Sequence, residues 1–417
     1  MTQPAGALPA AGLDRRMFMM MIVAATILAL TMGSRQTLGL YVSPITSTTG
    51  VGYASVSFAL AVGQLMWGIA QPTFGALADR YGPQPTLIVG ALMLAAGMAL
   101  TPFASNELTL AITIGVLIAA GAGAGSFGVL MGVVAQAVPA AKRSFASGFV
   151  NAGGSLGQFL FAPLNQALIA TVAWTSAMGV MALAALLTIP LAALLARTRA
   201  SIFTATPAAA AAPPTLTLGE QVRIAARDRS YWCLHAGFFT CGFHISFLVT
   251  HLPKEVDLCA LPASVASSSL AIIGLANVAG SLWAGWAGGV VRMKWLLFAM
   301  YFSRAVAVLV YMASPRTPMT FYVFAAVLGF TWLATVPPTA GLIGKLFGVR
   351  YLATLFGLAT LSHQIGGFLG AWLGGIALTR FGDFSWMWYA DAALALAAAL
   401  VNLPIREAPV RAVPVPA

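Results

Sequence analysis

Charged side chains are scarce in this sequence. Only 7% of its 417 residues are charged and 60% are hydrophobic, whereas a soluble domain needs about 25% charged residues to face water. A soluble globular fold is therefore excluded, and the apolar surface must face lipid. The three cysteines, Cys233, Cys241 and Cys259, have neither the spacing of a metal site nor that of a disulfide framework. We expect no metal and no other cofactor.

Apolar runs of about 20 residues, the length that crosses a bilayer as a helix, recur along the chain. They lack the two-residue alternation of membrane β-strands. We therefore predict an all-α integral membrane protein with twelve transmembrane helices. The predicted spans are Met17–Tyr41, Tyr53–Ala76, Thr86–Ala104, Leu108–Val138, Ser144–Ala170, Trp174–Ala196, Ser230–Leu252, Ser264–Gly289, Trp295–Ala313, Thr320–Gly344, Leu352–Leu378 and Ser385–Leu403.

The two sets of six spans resemble each other weakly. The run Arg143-Ser-Phe-Ala-Ser-Gly-Phe enters span five, and Arg350-Tyr-Leu-Ala-Thr-Leu-Phe enters span eleven. Further along these spans, Gly157-Gln-Phe-Leu matches Gly367-Phe-Leu-Gly. Such a repeat predicts two pseudo-symmetric six-helix halves, residues 1–196 and 230–417, around a central cavity. Residues 197–229 contain a low-complexity stretch and few large apolar residues, which predicts a flexible linker.

The net charge of +11 is distributed unevenly over the predicted loops. Sixteen of the 21 basic residues lie on one side of the spans and three on the other, while Arg35 and Arg304 lie inside spans. Basic residues collect in cytoplasmic loops, so both termini are predicted to be cytoplasmic and no nucleic-acid partner is needed to explain the charge. We expect a monomeric, multi-pass protein of a bacterial inner (plasma) membrane.

The loop after span two has the sequence Gly75-Ala-Leu-Ala-Asp79-Arg80-Tyr-Gly82. Asp79 is expected to pair with a cation or a helix N-terminus, while Gly75 permits close approach and Gly82 a sharp turn. This run resembles the loop signature of the major facilitator superfamily, G-x-L-a-D-r-x-G. The resemblance implies a carrier that works by alternating access, with spans one, four, seven and ten lining the cavity. The corresponding loop of the second half lacks the aspartate.

A second run, from Lys142 to Gly157, resembles the monocarboxylate-transporter branch through the pattern R-x-x-A-x-G-x-x-x-A-G-s-x-x-G that begins at Arg143. Such carriers use a lysine near the substrate at a position similar to that of Arg35, so the resemblance implies an anion-binding role for this arginine. The sequence departs from the branch at two places. The acidic-glycine signature of span one is missing, and span eight has Asn277 and Ser281 where the branch carries an aspartate and an arginine.

Ionised groups inside the spans require an explanation because each costs at least ~2.5 kcal/mol at bilayer depth. Arg35 either binds an anion through its forked guanidinium or extends to the outer interface. Arg304 either forms a structural pair with Asp391, the acidic residue of span twelve, or contacts substrate. His363, beside Gln364 in span eleven, either carries a coupled proton or is a structural histidine.

Other residues of the spans are weaker candidates. The resemblance to the superfamily implies that spans five, seven and eight line or border the cavity, so their polar residues His244, Asn151, Gln158 and Asn277 are candidates to line it. Pro337-Pro338 remove two backbone donors from span ten, which predicts a kinked or unwound gate element. Regularly spaced glycines predict close helix contacts, and they lie at Gly121, Gly125, Gly366, Gly370 and Gly374.

The leading functional hypothesis is a secondary active transporter for a small organic anion, with protons as the coupling ion. One alternative is export of drugs or amphipathic metabolites, which Pro163 disfavours because no glycine precedes it in span five. Another is a non-transporting membrane sensor, which predicts a sizeable soluble domain, and the segment 197–229 is too short for one. Enzymatic activity is not expected, because no nucleophile–base set or phosphate-binding loop is apparent.

Overall fold

The computed structural model describes residues 14–139, 143–203, 217–348 and 351–410. These residues form helices joined by short turns, without a strand among them, in agreement with the all-α prediction. Up to residue 203 the elements are α1 Arg15–Gln36, a 3₁₀ turn Leu38–Tyr41, α2 Val42–Thr49, α3 Tyr53–Tyr81, α4 Pro83–Leu100, a 3₁₀ turn Thr101–Phe103, α5 Glu107–Leu110, a π-helix Ala111–Ile118, α6 Ala119–Ala124, α7 Phe127–Ala137, α8 Arg143–Leu186 and α9 Thr188–Phe203.

From residue 217 onwards eight further helices follow. They are α10 Leu218–Ala226, α11 Arg229–Leu258, α12 Ala263–Val290, α13 Met293–Ala313, α14 Pro318–Thr331, α15 Val336–Phe347, α16 Leu352–Phe381 and α17 Ser385–Asn402. The predicted span ten is therefore divided into α14 and α15 by a turn over residues 332–335.

Nine helical stretches of the described chain are long and apolar enough to cross a membrane. One of them, Gly148–Ile202, has 55 residues, which corresponds to about 80 Å at 1.5 Å per residue. This length exceeds one ~30 Å hydrocarbon core, and the backbone bends at Ala173, where φ is 65° and ψ is 157°. The structure thus establishes a multi-pass helical membrane protein, while the number twelve and the two-half layout stay predictions.

The segment predicted as a flexible linker contains a helix. Helix α10 begins with a reciprocal cap, in which Glu220 N donates to Thr217 Oγ1 at 3.3 Å and Thr217 N donates to Glu220 Oε2 at 2.7 Å. Its Gln221 donates to the carbonyl of Phe347 at the end of α15, 3.3 Å away. The prediction is wrong for residues 218–226, because these caps and contacts order them. The low-complexity stretch, from Thr206-Pro207 to Pro213-Pro214, lies outside the described residues.

Small residues allow two helix pairs to pack most closely. Helix α8 lies along α1 and α16 lies along α11. A Cβ atom at Gly157 would lie 2.2 Å from the carbonyl oxygen of Ala29, and one at Gly370 would lie 2.3 Å from that of Phe243. Close contacts were predicted for the glycines of α16, and they are present. Gly367, by contrast, faces Gln64 of α3.

Two further helix pairs connect the first set of spans with the second. Helix α3 packs against α16, and α8 packs against α12. The largest buried apolar cluster contains residues from both sets, including Tyr41, Phe161, Phe247 and Trp332. The interior between the two sets of spans is therefore shielded from both lipid and water.

Candidate substrate site

Arg35 lies in the last turn of α1 and points at α3. Its Nη2 atom donates to Gln64 Oε1, and its guanidinium carbon lies 4.3 Å from the ring centroid of Trp67. Gln64 and Trp67 are three positions apart on α3, so they share one helix face. Both partners are uncharged, and among the described residues no carboxylate lies within ion-pair distance of Arg35.

Arg35 borders a small cavity of about 30 Å³. This volume is room for about one water molecule. The wall combines segments from both sets of spans: Arg35, Leu38, Gly39, Leu60, Gly63, Gln64, Ile114, Ile118, Ala119, Val249 and Thr250. A guanidinium therefore faces a small space that α1, α3 and α11 share.

A larger vestibule of about 820 Å³ lies at the end of the bundle that carries Lys254. Lys254 Nζ and Asp257 Oδ2 are 2.5 Å apart on its wall. Tyr53 also lines the vestibule, and its hydroxyl lies 3.0 Å from His251 Nδ1. On the wall of the small cavity the turn after α1 packs tightly on α11, because a Cβ atom at Gly39 would lie 2.0 Å from the carbonyl oxygen of Val249.

His363 and Gln364 lie on α16, at the face that meets α11 and α3. His363 Nδ1 is 3.1 Å from Gln364 Nε2, and the imidazole packs against Phe238 with 5.3 Å between ring centroids. Gln364 is fully buried, and its side chain occupies the space beside Gly68 of α3. These two residues do not line the cavity at Arg35.

Asn277 is buried and fully engaged by the protein. Its Nδ2 donates to Ser155 Oγ at 2.8 Å, and its Oδ1 accepts from the backbone N–H of Leu333 at 2.9 Å and from Ser281 Oγ at 3.3 Å. Leu333 lies in the turn between α14 and α15, where the backbone has no helical partner. In this conformation Asn277 is a bridge between α8, α12 and that turn.

Asp391 pairs with a different residue from the one predicted. His244 Nδ1 lies 2.5 Å from Asp391 Oδ2, and both side chains are buried. The predicted Arg304–Asp391 pair is wrong, because the carboxylate faces α11 and not α13. His244, predicted as a cavity residue, is likewise not among the residues that line the cavity at Arg35.

Arg304 instead binds the end of α14. Its Nη2 donates to the carbonyl oxygens of Thr331 and, at 2.6 Å, of Trp332, and its Nε lies 3.3 Å from Thr331 Oγ1. Its Nη1 lies 3.3 Å from Cys241 Sγ. The last carbonyls of a helix lack helical partners, and a cation there also complements the helix dipole. Arg304 therefore stabilises the interruption of span ten.

The remaining cavity candidates lie on α8. Gln158 is buried, and its Nε2 donates to the carbonyl oxygen of Leu270 on α12 at 3.1 Å. Asn151 is half-buried and has no hydrogen-bond partner within the described ranges. The structure does not bring these two residues to Arg35.

The predicted gating residues divide into two regions. Gly82 has φ 91° and ends α3, which confirms the sharp turn. A Cβ atom at Gly75 would meet no described atom within 4 Å, so the close approach predicted there is wrong. Arg80 is exposed, with its guanidinium carbon 5.3 Å from the ring centroid of Tyr81. The side chains of Asp79 and Arg143 lie outside what the structure describes, as does Arg350.

Pro337 and Pro338 lie in the first turn of α15. Proline is tolerated there because the first N–H groups of a helix have no helical acceptor. The four residues before this helix form a turn, and Asn277 and Arg304 bind its N–H and carbonyl groups. The predicted interruption of span ten is present, and polar side chains from two neighbouring helices satisfy it.

Three residues of the site were missed from the sequence. Gln64 and Trp67 hold Arg35, and Cys241 contacts Arg304. Gln64 carried a signal, since it is a polar residue within the apolar span Tyr53–Ala76 and lies one turn from a tryptophan. Cys241 carried none, because a buried cysteine commonly serves as a small apolar residue.

Comparison with known proteins gives the family. The family model for the Major Facilitator Superfamily matches residues 24–289. Monocarboxylate transporter 13 of Rattus norvegicus is 26% identical over 380 residues, covering 90% of this chain and 86% of that protein. The oxalate:formate antiporter of Oxalobacter formigenes is 24% identical over 371 residues, covering 87% and 85%. Monocarboxylate transporter 11 of Mus musculus is 26% identical over 339 residues, covering 79% and 73%. This chain belongs to the Major Facilitator Superfamily and is a membrane transporter, not an enzyme.

Proposed function

We propose that this transporter moves a small, monocarboxylate-like organic anion across the membrane, with protons as the coupling ion. The observation that carries the proposal is Arg35, a guanidinium at the wall of a cavity shared by both sets of spans. Its partners Gln64 and Trp67 are uncharged. An uncompensated charge at bilayer depth costs at least ~2.5 kcal/mol, and a bound carboxylate would offset it through paired hydrogen bonds. The relatives described above, which are monocarboxylate transporters and an oxalate:formate antiporter, support the same substrate class.

The architecture proposed for this function has twelve spans in two six-helix halves, 1–196 and 230–417, joined by residues 197–229. Two observations support it. Gly157 of α8 packs on α1 in the same way as Gly370 of α16 packs on α11, and basic residues are concentrated on one side of the predicted spans. We place both termini in the cytoplasm and the protein, as a monomer, in the plasma membrane.

Alternating access requires that a barrier at each end can open. At the vestibule end, the barrier consists of the Gly39–Val249 packing and the contact between Tyr53 and His251. At the other end, we assign gating to the loop from Gly75 to Gly82 with Asp79 and Arg80, and to Arg143. The interruption before Pro337 and Pro338 is the proposed bending point. His363 is a proposed proton carrier, since its ring lies between α16 and α11.

The test is uptake of radiolabelled formate, oxalate and longer monocarboxylates by proteoliposomes. We expect uptake of at least one of these anions by the wild type and loss of that uptake in Arg35→Gln. Arg35→Lys should retain part of it, because lysine keeps the charge but not the forked geometry. Arg380→Gln is the matched control, since it removes one exposed positive charge of α16 that does not line the cavity.

Equal uptake by wild type and Arg35→Gln would contradict the assignment of Arg35. Thermal-shift measurements then separate the alternatives. If no carboxylate stabilises the purified protein while cationic amphiphiles stabilise both variants, export of amphipathic compounds replaces anion transport as the function. A carboxylate that stabilises the wild type but not Arg35→Gln supports the anion site even where the transport rate is low.

A further inference from the structure

His244 on α11 and Asp391 on α17 form a buried pair that the anion site does not use. Their side chains are 1% and 0% exposed, with Nδ1 and Oδ2 2.5 Å apart. Within the described chain, His244 Nε2 and Asp391 Oδ1 have no hydrogen-bond partner. A buried polar atom without a partner is costly. The pair therefore retains one free basic nitrogen and one free acceptor oxygen inside the protein.

The pair can hold one or two protons without losing its contact. With one, the neutral imidazole donates Nδ1–H to the carboxylate, and the pair has a net charge of −1. A second proton, taken from water, forms an N–H bond at the free Nε2 and gives an imidazolium–carboxylate pair of net charge zero. The hydrogen bond from Nδ1 to Oδ2 is present in both forms. A buried pair of opposite charges is also less costly than a single buried charge.

We propose that His244 and Asp391 form a proton-binding site that loads and unloads a proton at His244 Nε2 during transport. This inference rests on the proton-coupled transport proposed above, and it adds a second protonatable site to His363. Neither the family match nor the resemblance in sequence assigns a role to this pair.

The site lies against the interruption of span ten. The imidazole of His244 meets the indole of Trp332 edge-on, with 5.9 Å between ring centroids. Trp332 begins the turn between α14 and α15, and its carbonyl accepts from Arg304 at 2.6 Å. A change of charge on His244 therefore acts next to the residue that begins the proposed bending point. This position connects proton binding with the conformation of the gate.

Other ionisable groups act on the same region. Helix α12, which also packs against α11, contains none. Ionisable groups near this part of α11 include Cys241 of α11 itself, Arg304 and Tyr301 of α13, and His363 of α16. Cys241 lies one turn before His244 on α11, and it is Cys241, not His244, that contacts Arg304. Within the described chain, Asp391 is the ionisable group that is hydrogen-bonded to His244.

His251, two turns further along α11, is a matched control. Its Nε2 lies 2.8 Å from the carbonyl oxygen of Ala371, and its Nδ1 lies 3.0 Å from the hydroxyl of Tyr53. A carbonyl only accepts, so Nε2 carries the hydrogen and Nδ1 accepts from Tyr53. A second proton on His251 could enter only at Nδ1, where the hydrogen bond with Tyr53 would have to reverse its direction. His244 has a free nitrogen where His251 has none.

The first test is a pH titration of the full-length protein in nanodiscs, with 15N-labelled histidine, observed by NMR between about pH 5 and 8, where histidine ordinarily changes its charge. The chain has four histidines, and single His→Gln variants assign them. We expect the His244 signal to titrate and the His251 signal to stay constant. If His244→Gln does not fold, the other three variants assign His244 by elimination. A constant His244 signal in the wild type overturns the proposal.

Asp391→Asn tests the pair itself. Asparagine keeps the shape and an acceptor oxygen but removes the negative charge, so a second proton on His244 would create an uncompensated buried charge. We expect His244 to stay neutral over the whole pH range in this variant. Unchanged titration of His244 in Asp391→Asn overturns the role of the carboxylate and with it the proposed site.

The second test measures formate uptake by proteoliposomes with and without an inward pH gradient. We expect the wild type to respond to the gradient, and His244→Gln to lose this response while formate still stabilises the protein in thermal-shift assays. An undiminished response in His244→Gln assigns coupling to His363 alone and overturns the inference, but leaves anion transport intact. Absence of carboxylate binding in the wild type contradicts the proposed function, whereas the NMR result stands separately.

Discussion

Arg304 of α13 donates to the carbonyl oxygen of Trp332 at 2.6 Å, where α14 ends inside the protein. Helix ends leave carbonyl groups without helical partners, and at membrane depth no water replaces them. The guanidinium, which is 1% exposed, supplies donors for Thr331 and Trp332 together. A buried charge and an interrupted helix, each costly alone, thereby compensate each other.

Arg304→Met should therefore destabilise the protein strongly. Methionine has a similar length but no donor, so it leaves the carbonyls of Thr331 and Trp332 unpaired, each at a cost of about 1–3 kcal/mol. We expect the free energy of unfolding to fall by about 3 kcal/mol or more. The detergent-solubilised protein should therefore have a lower melting temperature than the wild type. Arg380→Met, an exposed arginine of α16, controls for loss of charge. An unchanged melting temperature would show that the turn does not depend on Arg304.

Asn277 binds the other side of the same turn. Asn277→Ala removes the acceptor of the Leu333 N–H and the donor to Ser155, so it should cost about 1–3 kcal/mol in stability. Asn277→Asp keeps an acceptor for Leu333 and, in the neutral protonated form that burial without a cation favours, a donor for Ser155. We expect its melting temperature to lie between those of Asn277→Ala and wild type. Equal losses in both variants would contradict a role for the Leu333 contact.

The sequence was sufficient for the all-helical membrane fold and for the interruption of span ten. Runs of apolar residues determine where helices lie, so the predicted span Ser264–Gly289 differs from α12, Ala263–Val290, by one residue at each end. Two adjacent prolines cannot continue a hydrogen-bonded helix, which is why the interruption before Pro337 was predictable. Both signals are local along the chain.

The partners of the buried polar groups were not predictable. His244 and Asp391 are 147 positions apart, and no local pattern specifies their contact. Arg304 binds backbone carbonyls that are free only because α14 ends there, so its partners depend on a neighbouring helix. Asn277 was predicted as a cavity residue because a polar group in a span is visible in the sequence. Its hydrogen bonds to Ser155 and Leu333 depend on the tertiary packing, which no local pattern specifies.

Close packing between α16 and α11 should be sensitive to a single methyl group. A Cβ atom at Gly370 would lie 2.3 Å from the carbonyl oxygen of Phe243, whereas one at Gly357 of the same helix would meet nothing within 4 Å. Gly370→Ala should destabilise the protein by about 1–3 kcal/mol through overpacking. Gly357→Ala should be neutral or stabilising by up to about 1 kcal/mol, because alanine favours helix. Melting temperatures in detergent compare the two, and similar values would contradict the packing argument.

The cap of α10 should lose its contribution at acidic pH. Backbone and side-chain hydrogen bonds from Thr217 hold the pKa of Glu220 below its usual value of 4.5. A carboxyl whose pKa is lowered in the folded state stabilises the fold above its unfolded pKa, and this contribution disappears as the pH falls through the folded value. Hydrogen exchange of the amides at residues 217–221, corrected for the intrinsic rate, should therefore accelerate as the pH falls below about 4.5. In Glu220→Gln the side-chain amide oxygen accepts the same hydrogen bond but does not titrate, so the corrected rates should not vary with pH. Identical pH profiles in wild type and Glu220→Gln would mean that the carboxylate does not cap α10.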